Sequence, residues 1–142
     1  MTPGTLSFDE RFRFHDGEEG QKILVALGTN HGVTIVVKTT SRGARYLNDY
    51  GCQAGHRFPN FHLVQGCCCL SKPTWVCLDE YYEFKDSELL QRHFTGDVNR
   101  FGELPEAITT ELMECALSTD DINGRQAGIV RHALDEYRKQ ST

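Results

Sequence analysis

The stretch ILVALGTNHGVTIVV, residues 23–37, decides the fold class of this chain. Two short apolar runs rich in β-branched residues, 23–27 and 33–37, flank a segment whose Gly and Asn residues suit a tight turn. β-Branched runs of this length favour strands, and a Gly/Asn-containing segment between them favours a reversal of the chain. The stretch therefore predicts a β-hairpin.

The sequence on both sides of this hairpin predicts further strands. Apolar and polar residues alternate between residues 6 and 14, which indicates a strand with one buried face. Residues 61–70 and 74–84 predict a second strand pair, joined by a turn in which Pro73 fixes the backbone. The Gly-, Asn- and Arg-rich segment 41–60 predicts a long loop with a short strand near Tyr46.

The pattern becomes helical from Asp86 onward. Asp86 and Ser87 are candidate N-caps of a helix that ends near Gly96, and Pro105 opens a second helix. A third helix is predicted after Ser118-Thr119, where two aspartates suit the positive end of the helix dipole.

Strands followed by helices predict an α+β fold, and five or so short strands suggest a small SH3-like antiparallel β-barrel followed by C-terminal helices. The chain of 142 residues has the length of one domain, so we expect residues 1–142 to form a single domain. Within it, residues 1–85 are the strand-rich barrel and residues 86–142 are the helical tail.

Composition limits the class of protein and its expected location in the cell. The chain is 39% apolar and 25% charged, as in ordinary globular proteins, and no apolar run approaches the ~20 residues of a membrane span. The N-terminus lacks the basic head and apolar core of a secretory signal, so the expected location is cytoplasmic. We expect the six cysteines, including the consecutive Cys67, Cys68 and Cys69, to be free thiols, with Cys68 facing away from its two neighbours.

Charge is distributed unevenly along the chain. The net charge of −5 argues against nucleic-acid binding by bulk electrostatics. Residues 1–60, however, hold seven Lys and Arg against six Asp and Glu, while residues 102–142 hold four against eight. A site for a polyanion is therefore predicted on the front half of the chain.

The segment LSKPTWVCLD, residues 70–79, resembles the strand-turn-strand signature of MazF/PemK-like toxins. EGQKILV at 19–25 is similar to the acidic-glycine loop of that family, and KTTS at 38–41 ends a strand where the family often has Thr-Ser. GELP at 102–105 is similar to the family's helix start after the barrel, so that the resemblance spans roughly residues 15–117.

The resemblance implies an SH3-like barrel with added helices, a homodimer, and a metal-independent endoribonuclease that acts on single-stranded RNA and is restrained by an antitoxin protein. Where the family carries Arg-Pro, this chain has Lys22-Ile23, so the arginine expected to stabilise the phosphorane charge is missing at that position. The alternative is a non-catalytic SH3-like-barrel interaction module that has lost this arginine.

RNA cleavage without a metal needs a proton acceptor, a proton donor and fixed positive charge beside the phosphate. The candidates lie at the predicted strand ends, where Arg42 or Arg45 could replace the missing arginine. The alternative is that these side chains are solvated loop charges and turn-forming hydroxyls. The predicted catalytic residues are Lys22, Thr40, Ser41, Arg42 and Arg45.

The predicted RNA-binding residues are His56, His62, Lys72 and Trp75. Each histidine could instead be an ordinary surface or core residue, and Trp75 could fill the core. Cys52, His56, His62 and Cys67 are residue types that bind zinc, but their spacings include no tight knuckle such as Cys-x2-Cys. We therefore predict no metal and no cofactor, with a zinc-stabilised structural protein as the less favoured alternative.

Overall fold

The computed structural model describes residues 1–66 and 69–140 and has an α+β fold. An antiparallel sheet of eight strands is followed by C-terminal helices, with three helices in the described part of the chain. The elements are β1 (Thr5–Arg13), β2 (Glu19–Asn30), β3 (Val33–Thr40), β4 (Gly51–Gln53), β5 (Asn60–Leu63), β6 (Thr74–Cys77), β7 (Tyr82–Lys85), α1 (Asp86–Phe94), β8 (Val98–Glu103), α2 (Glu106–Leu117) and α3 (Gly124–Gln140).

The predicted hairpin is confirmed as β2 and β3, which lie at the centre of the sheet. Its turn is tighter than the whole 28–32 segment, because β2 extends to Asn30 and only His31 and Gly32 remain between the strands. Both turn residues have positive φ, 52° and 75°, the conformation that matches the twist of a two-residue hairpin.

Strand β3 pairs with two further strands besides β2, one after the other. The first half of β3 pairs with β7, whereas Thr39 and Thr40 at its end pair with β6. The strand order is β4-β5-β6-β3-β2-β1-β8, and within the described residues this path does not close on itself. The α+β class is therefore confirmed, while barrel closure stays a prediction.

The main core lies between the sheet and the two C-terminal helices. Val25, Leu27 and Val37 of the central hairpin are fully buried, and Ile129 and Val130 of α3 belong to the same apolar cluster.

Gly28 permits the close approach of α3 to the sheet. A Cβ atom at this position would lie 2.3 Å from the Cβ atom of Ala133. Because real Cβ atoms do not approach so closely, any side chain there would push α3 outward and open the core.

Helix α1 is held against β1 by an ion pair. Asp9 has no exposed surface, and its carboxylate accepts two hydrogen bonds from the Arg92 guanidinium, at 2.6 and 2.8 Å. The backbone N–H of Arg11 also donates to this carboxylate, at 2.9 Å. A buried charge is tolerated only when it is paired and hydrogen-bonded in this way.

Several predicted element boundaries are wrong. The helical tail contains a strand, β8, which pairs with β1 at the edge of the sheet, so the chain returns to the sheet after α1. The second strand pair is confirmed only as β5 with β6, and β7 pairs with β3 instead. The short loop strand is β4, beyond Tyr46, and α3 begins at Gly124, later than predicted.

The prediction that all cysteines are free thiols is wrong, because Cys52 in β4 forms a disulfide with Cys115 in α2. Cys67 and Cys68, and with them the predicted alternation of the cysteine run, lie outside the described residues. Since disulfides persist mainly in oxidising compartments, this bond also removes the argument for a reducing compartment that the cysteines supplied.

In the part of the chain that the structure describes, no helix has both the length and the apolar character needed to span a membrane.

Candidate nucleic-acid interface

Three chain segments meet at one end of the central hairpin. Lys22 lies near the start of β2, Thr40 ends β3, and Lys72 lies two residues before β6. Because β2 and β6 both run antiparallel to β3, their first residues lie beside its last ones. The topology thus gathers polar residues that are up to 50 positions apart in the sequence.

These segments form a groove of 690 Å³, here called the basic groove. It contains four predicted catalytic residues and the predicted RNA contact Lys72. Its lining residues are Phe8, Gln21, Lys22, Ile23, Thr39, Thr40, Ser41, Arg42, Leu70, Ser71, Lys72 and Thr74. Among these described residues there are three cations and no carboxylate.

The fifth predicted catalytic residue, Arg45, lies in an adjoining cleft of 400 Å³, here called the Arg45 cleft. Lys22, Thr40 and Arg42 line both spaces, so the groove and the cleft form one continuous surface. Lys38 adds a further cation to the cleft, and its ammonium group is paired with the carboxylate of Glu80 at 3.3 Å.

Local hydrogen bonds order the polar residues of the groove. The Lys22 ammonium group donates to the backbone carbonyl of Thr39, at 3.3 Å. The hydroxyl of Thr40 accepts a bond from the backbone N–H of Arg42, at 3.1 Å, which turns the chain at the end of β3. The side chains of Ser41, Arg42 and Lys72 remain exposed to solvent.

The electrostatics of the groove favour an anionic ligand. Partial burial lowers the pKa of Lys22 from its ordinary value, and the positive charges of Lys38 and Arg42 lower this pKa further. A bound anion would relieve the repulsion among these cations.

Cys77 and Tyr46 close the floor of the Arg45 cleft. The Cys77 thiol lies 3.8 Å from the Tyr46 hydroxyl, and burial raises the pKa of both groups, that of Tyr46 to about 12. Both side chains are therefore neutral near pH 7 and add no negative charge to the cleft.

Two predicted RNA contacts lie inside the protein. Trp75 is 5% exposed and donates its indole N–H to the carbonyl of Leu47, at 2.8 Å. Its ring stacks on that of His62, with centroids 4.3 Å apart, and His62 is 3% exposed. Gly43 packs against this indole, since a Cβ atom there would lie 2.1 Å from it. This packing favours the alternative, a core role for Trp75.

His56 also lies apart from the basic groove. Its Nδ1 atom accepts a hydrogen bond from the backbone N–H of Phe58, at 3.0 Å, within the loop between β4 and β5. Neither His56 nor His62 is among the described residues that line the groove or the cleft. The structure therefore places both histidines outside the basic groove and the Arg45 cleft.

One of the four candidate zinc ligands, Cys52, takes part in a disulfide. Cys52 is committed to the disulfide with Cys115, and Cys67 lies outside the described residues. Across residues 1–66 and 69–140, no three His, Cys, Asp or Glu side chains are grouped so that they could hold a metal ion.

Lys38 and Tyr46 were missed as site residues. The sequence pattern could have indicated Lys38, because Lys38 and Thr40 are two positions apart on one strand and therefore lie on the same face. No sequence pattern could have indicated Tyr46, since its position depends on how the loop folds over Trp75.

Comparisons of the chain with protein-family models, with curated proteins and with solved structures found no match. The likeness to MazF/PemK-like toxins therefore rests on the motifs of the sequence.

Proposed function

We propose that this chain binds single-stranded RNA through its phosphate backbone, in the basic groove. The observation that supports the proposal most is the gathering of Lys22, Arg42 and Lys72 around one groove with no carboxylate among its described lining residues. Phosphate contacts from Lys and Arg supply most of the affinity of proteins for nucleic acid, independently of sequence.

A groove that is positive within an acidic chain favours local binding. The net charge of −5 disfavours a polyanion over the surface as a whole, so the basic groove and the adjoining cleft are where we expect the strand to bind. Hydroxyls of Thr40 and Ser41 add neutral hydrogen-bond donors for phosphate oxygens. On the basis of the MazF/PemK-like motifs, the same proposal includes a cytoplasmic location, a homodimer and an antitoxin protein as partner.

We further propose that the chain cleaves the bound RNA without a metal ion. In that reaction Lys22 acts through its neutral fraction, which the lowered pKa enlarges. The neutral amine takes the proton of the 2′-hydroxyl, which attacks the adjacent phosphorus and displaces the 5′ oxygen. Arg42 supplies the fixed charge that the family's missing arginine would supply, and a hydroxyl of Thr40 or Ser41 donates to the leaving oxygen.

The alternative, a non-catalytic interaction module, has its own supporting observation. Leu90 and Phe94 on α1 are 57% and 79% exposed, and Phe101 on β8 is also exposed. Leu90 lines a cavity of 290 Å³ that also includes Met1 and Val98. Exposed apolar side chains, one of which lines a cavity, are typical of protein-binding surfaces.

The test compares the wild-type chain with Arg42→Ala/Lys72→Ala in binding a fluorescently labelled single-stranded oligoribonucleotide in EDTA. We expect the affinity to fall at least about tenfold, because each removed cation is a lost phosphate contact. The matched control is Arg125→Ala/Arg131→Ala, which removes the same charge from α3 and should change the affinity less than about twofold.

Gel analysis of the same samples separates binding from cleavage. Products that form with the wild-type chain in EDTA, and not with Arg42→Ala, support the nuclease. Binding without products supports an RNA-binding protein that does not cleave. Equal, weak affinity of the wild-type chain and the Arg42→Ala/Lys72→Ala variant would contradict RNA binding in this groove and favour the interaction module.

A further inference from the structure

An aromatic cluster with two arginines lies beside the Arg45 cleft. The Arg45 guanidinium carbon lies 4.4 Å from the centre of the Phe58 ring and 5.4 Å from that of Tyr46. The Arg57 guanidinium lies 5.3 Å from the same Phe58 ring. The ring of His56 completes the cluster, 6.2 Å from Phe58. We call Phe58 with Arg45 and Arg57 the stacking cluster.

The stacking cluster continues the path of the basic groove. Arg45 belongs to both the cluster and the Arg45 cleft, and the cleft shares Lys22 and Arg42 with the groove. A strand whose phosphates lie in the groove and cleft would therefore bring an attached base to Phe58.

The exposed part of the cluster does not hold the fold together. Tyr46 is buried and carries the contacts to the interior, whereas Phe58 is half-buried and both arginines are exposed. Within residues 1–66 and 69–140, Arg57 forms no hydrogen bond and no ion pair, and its contact with Phe58 is a cation–π contact. An exposed guanidinium on an aromatic ring is a flat, sequence-tolerant platform for a nucleobase.

We propose that the stacking cluster is a base-binding subsite, in which a nucleobase of the bound single strand stacks on Phe58 and on the guanidinium planes of Arg45 and Arg57. This inference rests on the proposed function, because the groove must hold the adjacent phosphates. It adds that the protein distinguishes a strand with bases from a bare chain of phosphates.

The experiment measures the affinity of the full chain for two labelled strands of equal length and charge, an oligouridylate and an abasic ribose-phosphate strand. The wild-type chain should bind the strand with bases more tightly, and Phe58→Leu should reduce that preference by about 5- to 10-fold, the lower end of base–aromatic stacking effects. Affinity for the abasic strand should not change.

Three further variants separate stacking from folding and from charge. Phe58→Tyr keeps an aromatic ring and should keep the preference, and Arg57→Ala alters only an exposed side chain and should weaken it. The matched control, Phe94→Leu, removes an exposed phenyl ring from α1 and should leave both affinities unchanged.

The results distinguish failure of this inference from failure of the proposed function. If the wild-type chain binds both strands equally, or if Phe58→Leu weakens both strands alike, the subsite is contradicted. Groove binding still stands in that case if Arg42→Ala/Lys72→Ala weakens both strands. If the wild-type chain binds neither strand, the subsite and the proposed function are both contradicted.

Discussion

The arginine between α1 and β1 and the cations of the basic groove have opposite environments. Arg92 binds the fully buried carboxylate of Asp9 with two hydrogen bonds. Lys22, Arg42 and Lys72 line a groove that has no carboxylate among its described lining residues. The first arrangement neutralises a charge inside the fold, whereas the second concentrates positive charge at a surface open to solvent. The comparison indicates that Arg92 serves stability, and it agrees with our proposal that the groove cations bind an external anion.

The largest effect expected from this comparison is on stability. Asp9→Asn removes the charge that Arg92 is paired with and should lower the free energy of unfolding by about 3 kcal/mol, since breaking a buried ion pair leaves its partner uncompensated. Urea denaturation measures this change. RNA affinity of the folded variant should stay as in the wild-type chain.

The groove variant Arg42→Ala/Lys72→Ala serves as the matched comparison. Both side chains are exposed, so the free energy of unfolding should change by less than about 0.5 kcal/mol. A groove variant that is destabilised as strongly as Asp9→Asn would show that these cations are structural, and the contrast between the two regions would be lost.

A smaller effect is expected on the pH dependence of RNA binding. Lys22 has a pKa below 10.5, because burial and the neighbouring cations disfavour its charged form. Binding of an anion requires that charge, so the affinity should fall as the pH rises through this lowered pKa. In Lys22→Arg the guanidinium stays protonated, and the fall attributable to position 22 should disappear.

Binding titrations between pH 7 and the ordinary lysine value of 10.5 test this prediction. Lys38→Arg is the control, because Lys38 is already paired with Glu80. An identical pH profile for Lys22→Arg and the wild-type chain would exclude Lys22 from anion binding. The same substitution removes the proposed proton acceptor, because a guanidinium stays protonated, so any cleavage activity should fall with it.

Much of the fold could be predicted from the sequence because its strongest signals are local. The runs at 23–27 and 33–37 are long enough to specify a hairpin by themselves, and the change of period at Asp86 marks α1 correctly. β8 was missed because residues 98–103 have little apolar patterning. Five of these six residues are exposed or half-buried, so pairing with β1 determines the strand.

The candidate site was predictable only in part, because local structure brings together only some of its residues. Lys22, Thr40, Ser41 and Arg42 lie at strand ends that the hairpin itself brings together, and the groove contains all four. His62 and Trp75 could not be placed from the sequence, because their burial depends on the loop that folds over them. The disulfide was missed since Cys52 and Cys115 are 63 residues apart and meet only when α2 packs near β4.

The most direct test of RNA binding in the basic groove is the salt dependence of affinity. For single strands, the logarithm of the affinity falls with the logarithm of salt concentration by about 0.7 for each phosphate contact. We predict that Arg42→Ala/Lys72→Ala lowers this slope by about 1.4 relative to the wild-type chain, because two contacts are removed. The Arg125→Ala/Arg131→Ala control should keep the wild-type slope. Equal slopes for the wild-type chain and the groove variant would contradict the account, since they would show that no phosphate lies beside Arg42 or Lys72.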